Sequence, residues 1–254
     1  EKVKTMMDVE NFVDCWAMEL YHAKGDHVSN SRLWRPRTPD GRWQSISFDH
    51  DHWKKPSYEL IRRFINHERG KTRMFRFISK NPEFRIYFFN RLNDYLNTVF
   101  RPENVEELVW KAHDAVAEDK VRDRERWEDI ITYGDTMLQI YWVIDYAHQR
   151  PKYLRENISE AYHLDGTYAA NLDASPREGG QIQISTIKID RFPWSGEYFK
   201  GNPIKVKAIP AEGYSFDGWE GGYPNTPELE LSVTENVTLI AKFKKTGSNS
   251  GGNQ

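Results

Sequence analysis

The apolar positions of this chain change period along its length. Val9, Phe12, Val13, Trp16 and Leu20 recur three and four residues apart, the spacing of one buried helix face, and Asp8 before them reads as an N-cap. Residues 21–31 are turn-like. Residues 33–35 and 43–48 read as two short strands around Pro39-Asp40-Gly41, where Pro presets φ and Gly tolerates positive φ. The hairpin so formed ends at Asp49. Helical spacing returns from Ser57. Asn81-Pro82 supplies a cap and a first-turn proline for a stripe of Phe84, Phe88, Leu92, Tyr95 and Val99. Val105, Leu108, Val109, Ala112 and Val116 mark a second long helix. A third starts at Asp135, carries Leu138, Tyr141, Ile144 and Tyr146, and is expected to break at Pro151, with a short helix following to about residue 162.

Near Asp165-Gly166 the period becomes two. Residues 181–185, 204–209, 228–233 and 237–243 alternate as strands do. Gly and Pro become frequent, and the last eight residues, 247–254, are a Gly/Ser/Asn-rich linker. The predicted fold class is therefore α+β. A mainly helical part with a short hairpin spans 1–164, a small all-β module spans 165–246, and a flexible tail ends the chain.

Composition narrows the picture. With 14% aromatics the 254-residue chain can fill a core. A net charge of -2 gives no global pull toward nucleic acid, so no nucleic-acid partner is expected. No stretch is apolar enough to span a bilayer. Cys15 is the only cysteine, which excludes an internal disulfide, and its apolar helical setting predicts a packed, inert thiol. No signal peptide is visible, and the chain opens on Glu1 rather than Met, as a fragment or processed product would. Between residues 54 and 91 there are eleven Lys or Arg against three Glu. They read as solvated helix faces, and the sharper alternative is a basic surface for an acidic partner.

The residues that bear chemistry cluster between Leu20 and Trp53. A helix ends, a loop presents Asp26 and Asn30, and a hairpin delivers Asp49 and Asp51. On a strand those two aspartates share one side and His50 and His52 the other. Such oxygen-rich clusters suit Mg²⁺, which takes one or two carboxylates plus phosphates. Loop Asp, nearby Asn, hairpin, then Asp is also the order of parts that phosphoryl transfer to a hydroxyl requires. Asp and Asn are equally common in plain turns, and spacing alone does not separate the two readings. His27, His50 and His52 with the aspartates offer a transition-metal alternative, which the alternation of sides disfavours.

Longer stretches carry a resemblance. The chain from Asn11 to about Phe243 reads NFVDCWAMELY, then LWRP…GRW, FRFISKNPEFRIYFFNRLNDYLNTVF, a helix ending in QRP, and GGQIQI…WSGEYFKGNPI. In this it resembles the C-terminal two-thirds of the CotH-type spore-coat kinase family. The tract NPIKVKAIPAEGYSFDGWEGG…NVTLIAKF resembles an InlB-like bacterial β-repeat, a module of secreted and surface proteins.

The resemblance implies an atypical protein kinase using ATP with Mg²⁺ or Mn²⁺, with a protein substrate or surface partner, in a bacterial, extracellular, cell-surface or spore-surface setting. By position, Asp26 resembles the catalytic loop aspartate, Asn30 the first of the family's paired asparagines, and Asp49 and Asp51 its D-x-D metal aspartates. The chain departs from that pattern at Lys24, His27 and Ser31, which stand where the family has Asn, Trp and a second Asn. The family's nucleotide-covering N-terminal part is not in this sequence, so weak or absent kinase activity is the expectation for this chain alone. The competing expectation is a non-catalytic surface scaffold that kept the fold. A third is glycan binding by the aromatics of the β module, Trp194 and Trp219 foremost, although a small module needs such residues for its own core.

Overall fold

The computed structural model describes residues 2–26, 32–66, 72–127 and 133–246. It divides into two compact units. One comprises Glu1–Ser79 with Tyr95–Ala161, the other Lys80–Asp94 with Tyr162–Gln254.

The described residues hold seven α-helices: α1 Lys2–Met6, α2 Val9–Tyr21, α3 Leu60–Asn66, α4 Thr72–Ile78, α5 Pro82–Leu96, α6 Pro102–Trp127 and α7 Tyr133–Tyr162. The first unit is built on α2. Asp8 caps it by accepting from the Asn11 amide at 3.1 Å, and the predicted stripe buries Phe12, Val13, Trp16 and Leu20. Trp16 meets Phe64 of α3 edge-on, with ring centroids 4.4 Å apart, and lies 5.0 Å from Phe75 of α4. Fully burying rings of this size stabilises by about 1.5–3 kcal/mol each.

The hairpin of β1 Arg32–Trp34 and β2 Gln44–Ile46 is antiparallel. Asn11 fastens it to α2 with its side-chain amide, which donates to Ser45 O at 3.2 Å and accepts from Ser45 N at 2.6 Å. An amide can imitate a strand's backbone in this way because it carries both a donor and an acceptor.

One expectation for the long helices fails. Helix α7 does not break at Pro151, which lies inside it. Proline removes one backbone bond, but Tyr146, Arg150, Leu154 and Ile158 are buried at a spacing of four on both sides of it, and that shared face outweighs the loss. In α6, no residue whose side chain is described is buried, and Leu108 and Val116 of the predicted stripe are exposed. Its apolar repeat exists, but little of the unit covers it: Trp110 reaches Tyr141 of α7 at 6.0 Å, and Glu106 reaches His148.

In the second unit, β3 Thr167–Ser175, β6 Trp194–Phe199, β8 Tyr214–Trp219 and β10 Val237–Lys245 form one sheet in the order β6-β3-β10-β8. The strands β4 Gly180–Ile184, β5 Ile187–Ile189, β7 Ile204–Pro210 and β9 Glu228–Leu231 form another, in the order β5-β4-β7-β9. The four strands predicted from alternation are β4, β7, β9 and β10. The other four were not foreseen. Both sheets feed one apolar cluster, which includes Tyr168, Leu172, Ile182, Val206, Trp219, Leu239 and Phe243.

Residues 80–94 belong to this unit. Asn81 caps α5, accepting from the Glu83 and Phe84 amides at 2.8 and 3.3 Å, as its Asn-Pro signature predicts. Phe89 meets Phe199 at 5.4 Å. Asp94 accepts from the Thr186 amide, the Thr186 hydroxyl and the Tyr198 hydroxyl at 2.9, 2.7 and 2.8 Å. Asn90 accepts from Asn202 at 2.8 Å and donates to Pro203 O at 2.7 Å. The buried side chains of Asn90, Asp94 and Asn202 are thereby paired, as burial demands.

Candidate functional site

Where α2 ends, its last carbonyls lose their helical partners. Here they point at Arg150, which is fully buried. Its guanidinium donates to Leu20 O at 2.6 Å and Tyr21 O at 3.0 Å, and also to Pro56 O and Tyr58 O. The Tyr146 hydroxyl donates to Tyr21 O as well, at 2.5 Å. A cation at a helix C-terminus faces the negative end of the helix dipole, so backbone oxygens serve a buried arginine well. Burial pulls its pKa down from the ordinary value, and it stays protonated because guanidinium starts so high. The clamp fixes the point where the chain leaves α2 and ties it to the stretch beyond Asp51.

From that anchor the backbone passes Ala23 in the left-handed region (φ 47) and reaches Lys24, Gly25 and Asp26. Lys24 is fully buried, and its ammonium donates to Phe48 O at 2.8 Å. The Gly25 amide donates to His52 O at 3.1 Å. The Asp26 loop thus lies along residues 48–52.

Those residues are not a strand. β2 ends at Ile46, and Asp49 takes φ 59. Strict alternation therefore ends at Ile46 and does not put Asp49 and Asp51 on one side. Both aspartates are exposed and Asp26 is half-buried. Asn30 and His27 lie outside the described residues. Asp26 and Asp49 act on a common neighbour, since both push the pKa of His50 upward.

His50 nevertheless titrates below its ordinary value, because burial and then Lys24 outweigh the two carboxylates. Its Nε2 is 2.6 Å from Ser47 Oγ, and Trp53 donates its indole N–H to the His50 carbonyl. The His22 ring lies tilted, 4.8 Å from that of His50 and 4.7 Å from that of Trp53. Burial, and after it His50, lowers the His22 pKa to about 3. Its Nδ1 has no hydrogen-bond partner among the described residues. His52 is exposed beside Lys54, so His50 and His52 do not converge. The described residues hold no group of three or more His, Cys, Asp or Glu able to share a metal ion.

The carboxylate oxygens of Asp26 and Asp49 suit a hard cation. Mg²⁺ commonly takes one or two carboxylates and completes its shell with water and phosphate, so the donor chemistry fits it better than a transition metal. Cys15 is half-buried and 3.5 Å from Ser45 O, and burial pushes its thiol up to about 11.

Sequence reasoning missed Arg150, His22 and the burial of Lys24. Only Arg150 left a trace, as an Arg-Pro pair inside a helix four residues after Tyr146. In the β module, Trp219 is 6% exposed within the core, and Trp194 is partly buried against it.

Comparison with known proteins adds the last evidence. Residues 170–247 match the divergent InlB B-repeat domain. Among curated proteins and among solved structures there is no match. The CotH kinase protein model covers residues 1–154, more than half of the chain and all the described residues of the Asp26 and Asp49 segments, so the chain belongs to the CotH kinase protein family.

Proposed function

We propose that the helical unit serves metal-dependent phosphoryl transfer from ATP to a Ser or Thr hydroxyl of a protein substrate. Asp26 would accept a hydrogen bond from that hydroxyl and orient it. Asp49, with Asn30 and Asp51, would hold Mg²⁺ or Mn²⁺. When bound, the cation would offset charge on the phosphates. The observation that carries the reading is the pairing of the two segments: Lys24 and Gly25 hold the Asp26 loop against the residues on either side of Asp49. Family membership supports the same chemistry.

The B-repeat supports a bacterial surface, extracellular or spore-coat setting, and no helix among the described residues is long and apolar enough to cross a membrane. A second reading, a non-catalytic surface scaffold, draws on Lys24, which stands where the family pattern has Asn and is spent on internal contacts. Buried Trp219 weighs against a glycan platform.

Calorimetry of ATP with Mg²⁺ or Mn²⁺ on this chain and on Asp49→Ala separates the readings. Metal-dependent ATP binding that the variant loses is the expected result. No binding in either form, under conditions where both are folded, favours the scaffold.

A further inference from the structure

Lysine is almost never fully buried unless paired, yet Lys24 is 0% exposed. Its ammonium donates to Phe48 O at 2.8 Å, lies 3.5 Å from Glu19 Oε1 and sits 5.4 Å from the centroid of the Phe48 ring. The next residue, Gly25, donates its amide to His52 O at 3.1 Å. Asp49 falls between these two acceptors.

Asp49 is also strained. A φ of 59 is uncommon for a residue with a side chain, and such conformations persist where surrounding contacts over-determine them. Phe48 O is held on one side of it and His52 O on the other. Within that span the Trp53 indole holds His50 O, and Ser47 Oγ meets the His50 ring.

We infer that Lys24 is a positioning residue of the proposed site, whose bond to the Phe48 carbonyl holds Asp49 in its left-handed conformation and sets its separation from Asp26. This rests on Asp26 and Asp49 being the site. Lys24 lies two residues before one carboxylate, and its acceptor lies one residue before the other. That bond and the Gly25–His52 bond therefore tie the two carboxylate-bearing segments together.

The test uses the whole chain with Lys24→Met, which keeps the stem's packing and removes the donor. Two readouts are followed: hydrogen exchange of the Gly25 amide without metal, and Mn²⁺ binding followed by the paramagnetic resonance of free Mn²⁺. Gly25 exchange is expected to rise at least tenfold and the Mn²⁺ dissociation constant at least fivefold. Loss of a neighbouring positive charge would by itself tighten cation binding, so weakening reports lost geometry. Leu154→Ala, a core truncation in the same unit, is expected to leave Mn²⁺ affinity unchanged although it destabilises the fold. Unchanged Gly25 exchange in Lys24→Met, or equal weakening in Leu154→Ala, overturns the assignment. Absence of Mn²⁺ binding by the unaltered chain instead overturns the metal site itself, an outcome distinct from failure of the Lys24 tie, which Gly25 exchange reports alone.

Discussion

The guanidinium of Arg150 donates to the carbonyl of Tyr21 at 3.0 Å, joining residues 129 positions apart. That bond, with those to Leu20, Pro56 and Tyr58, makes one side chain the common anchor of the helix that leads to Asp26 and the stretch that follows Asp51. Arg150→Met would remove the donor of Pro56 O, while Tyr21, Leu20 and Tyr58 keep donors in Tyr146, Ala23, Leu60 and Asn157. A loss of about 1–3 kcal/mol is expected. Arg150→Lys keeps the charge but lacks the planar fork and should recover less than half. Denaturation followed by tryptophan fluorescence measures the loss. Exchange of the Ala23 amide, which donates to Leu20 O at 3.1 Å, reports the helix end locally and should accelerate in both variants. Unaltered stability in Arg150→Met would show that water replaces the clamp.

What the sequence disclosed follows from which forces act locally. The Asp8 and Asn81 caps and the alternation of β7 and β10 are properties of neighbouring residues, and they stand in the structure as read. The course of α7 through Pro151 depends on a buried face supplied by other elements, and local propensity pointed the other way. Helix α6 stands with the period as read, and its Leu108 and Val116 are exposed among the described residues. Strand β3, TYAANLDAS, carries three alanines, an asparagine and an aspartate, so its alternation is too faint to read before Leu239 and Ala241 of β10 lie beside it.

The candidate site was legible as residue types and not as conformation. Asp26 follows α2 in a loop, Asp49 lies beyond the end of β2 rather than on it, and bonds from Lys24 and Gly25 put the two segments side by side. No local rule turns Asp49 to positive φ or buries Lys24, because both depend on contacts with chain more than twenty residues away. A lysine read in isolation is a surface residue.

His22 gives the helical unit a defined acid response. Its folded pKa is depressed to about 3 from an ordinary 6.5. A base with a lowered folded pKa contributes stability that is complete above the unfolded value and lost as pH falls toward the folded one. The loss should therefore run from about pH 6.5 down to about pH 3. At about 1.4 kcal/mol per unit, the total is at most about 5 kcal/mol. His22→Phe should flatten the stability curve across that window and leave its alkaline side unchanged, as denaturant melts at successive pH values would record. A slope unchanged in the variant would assign the acid response to other groups.

Asp94 fastens α5 to the tip of the β4–β5 hairpin through the Thr186 amide and hydroxyl, and to β6 through the Tyr198 hydroxyl. Asp94→Ala would leave the Thr186 amide and two hydroxyls without it, for an expected loss of about 3 kcal/mol or more. Burial raises the Asp94 pKa, its hydrogen bonds opposing that shift. A raised folded pKa favours the protonated folded form. The Asp94 contribution is thus fullest below the unfolded value near 3.8 and declines as pH rises through the folded one. Asp94→Asn cannot titrate, so the stability difference between it and the unaltered chain should drift in that sense. Thr186 amide exchange locates the effect, and it should rise in Asp94→Ala while the Ala23 amide of the other unit stays protected.

Gly180 tests how tightly the two sheets close. Its backbone is extended, with φ 166, so any residue could adopt its conformation and only space is at issue. A Cβ there would stand 2.4 Å from Ile209 O and 2.7 Å from Phe243 Cζ. The first contact is with backbone of the paired strand β7 and cannot yield without moving the ladder. The second is with a core ring that Phe243→Leu would withdraw. Gly180→Ala should therefore cost about 2–3 kcal/mol, the upper part of the usual range for overpacking. Adding Phe243→Leu should recover little of it, because the carbonyl remains. Full recovery in the double variant would show that the ring, not the strand backbone, sets the limit. Thermal melts of the four combinations, analysed as a double-mutant cycle, decide between the two by the sign and size of the coupling.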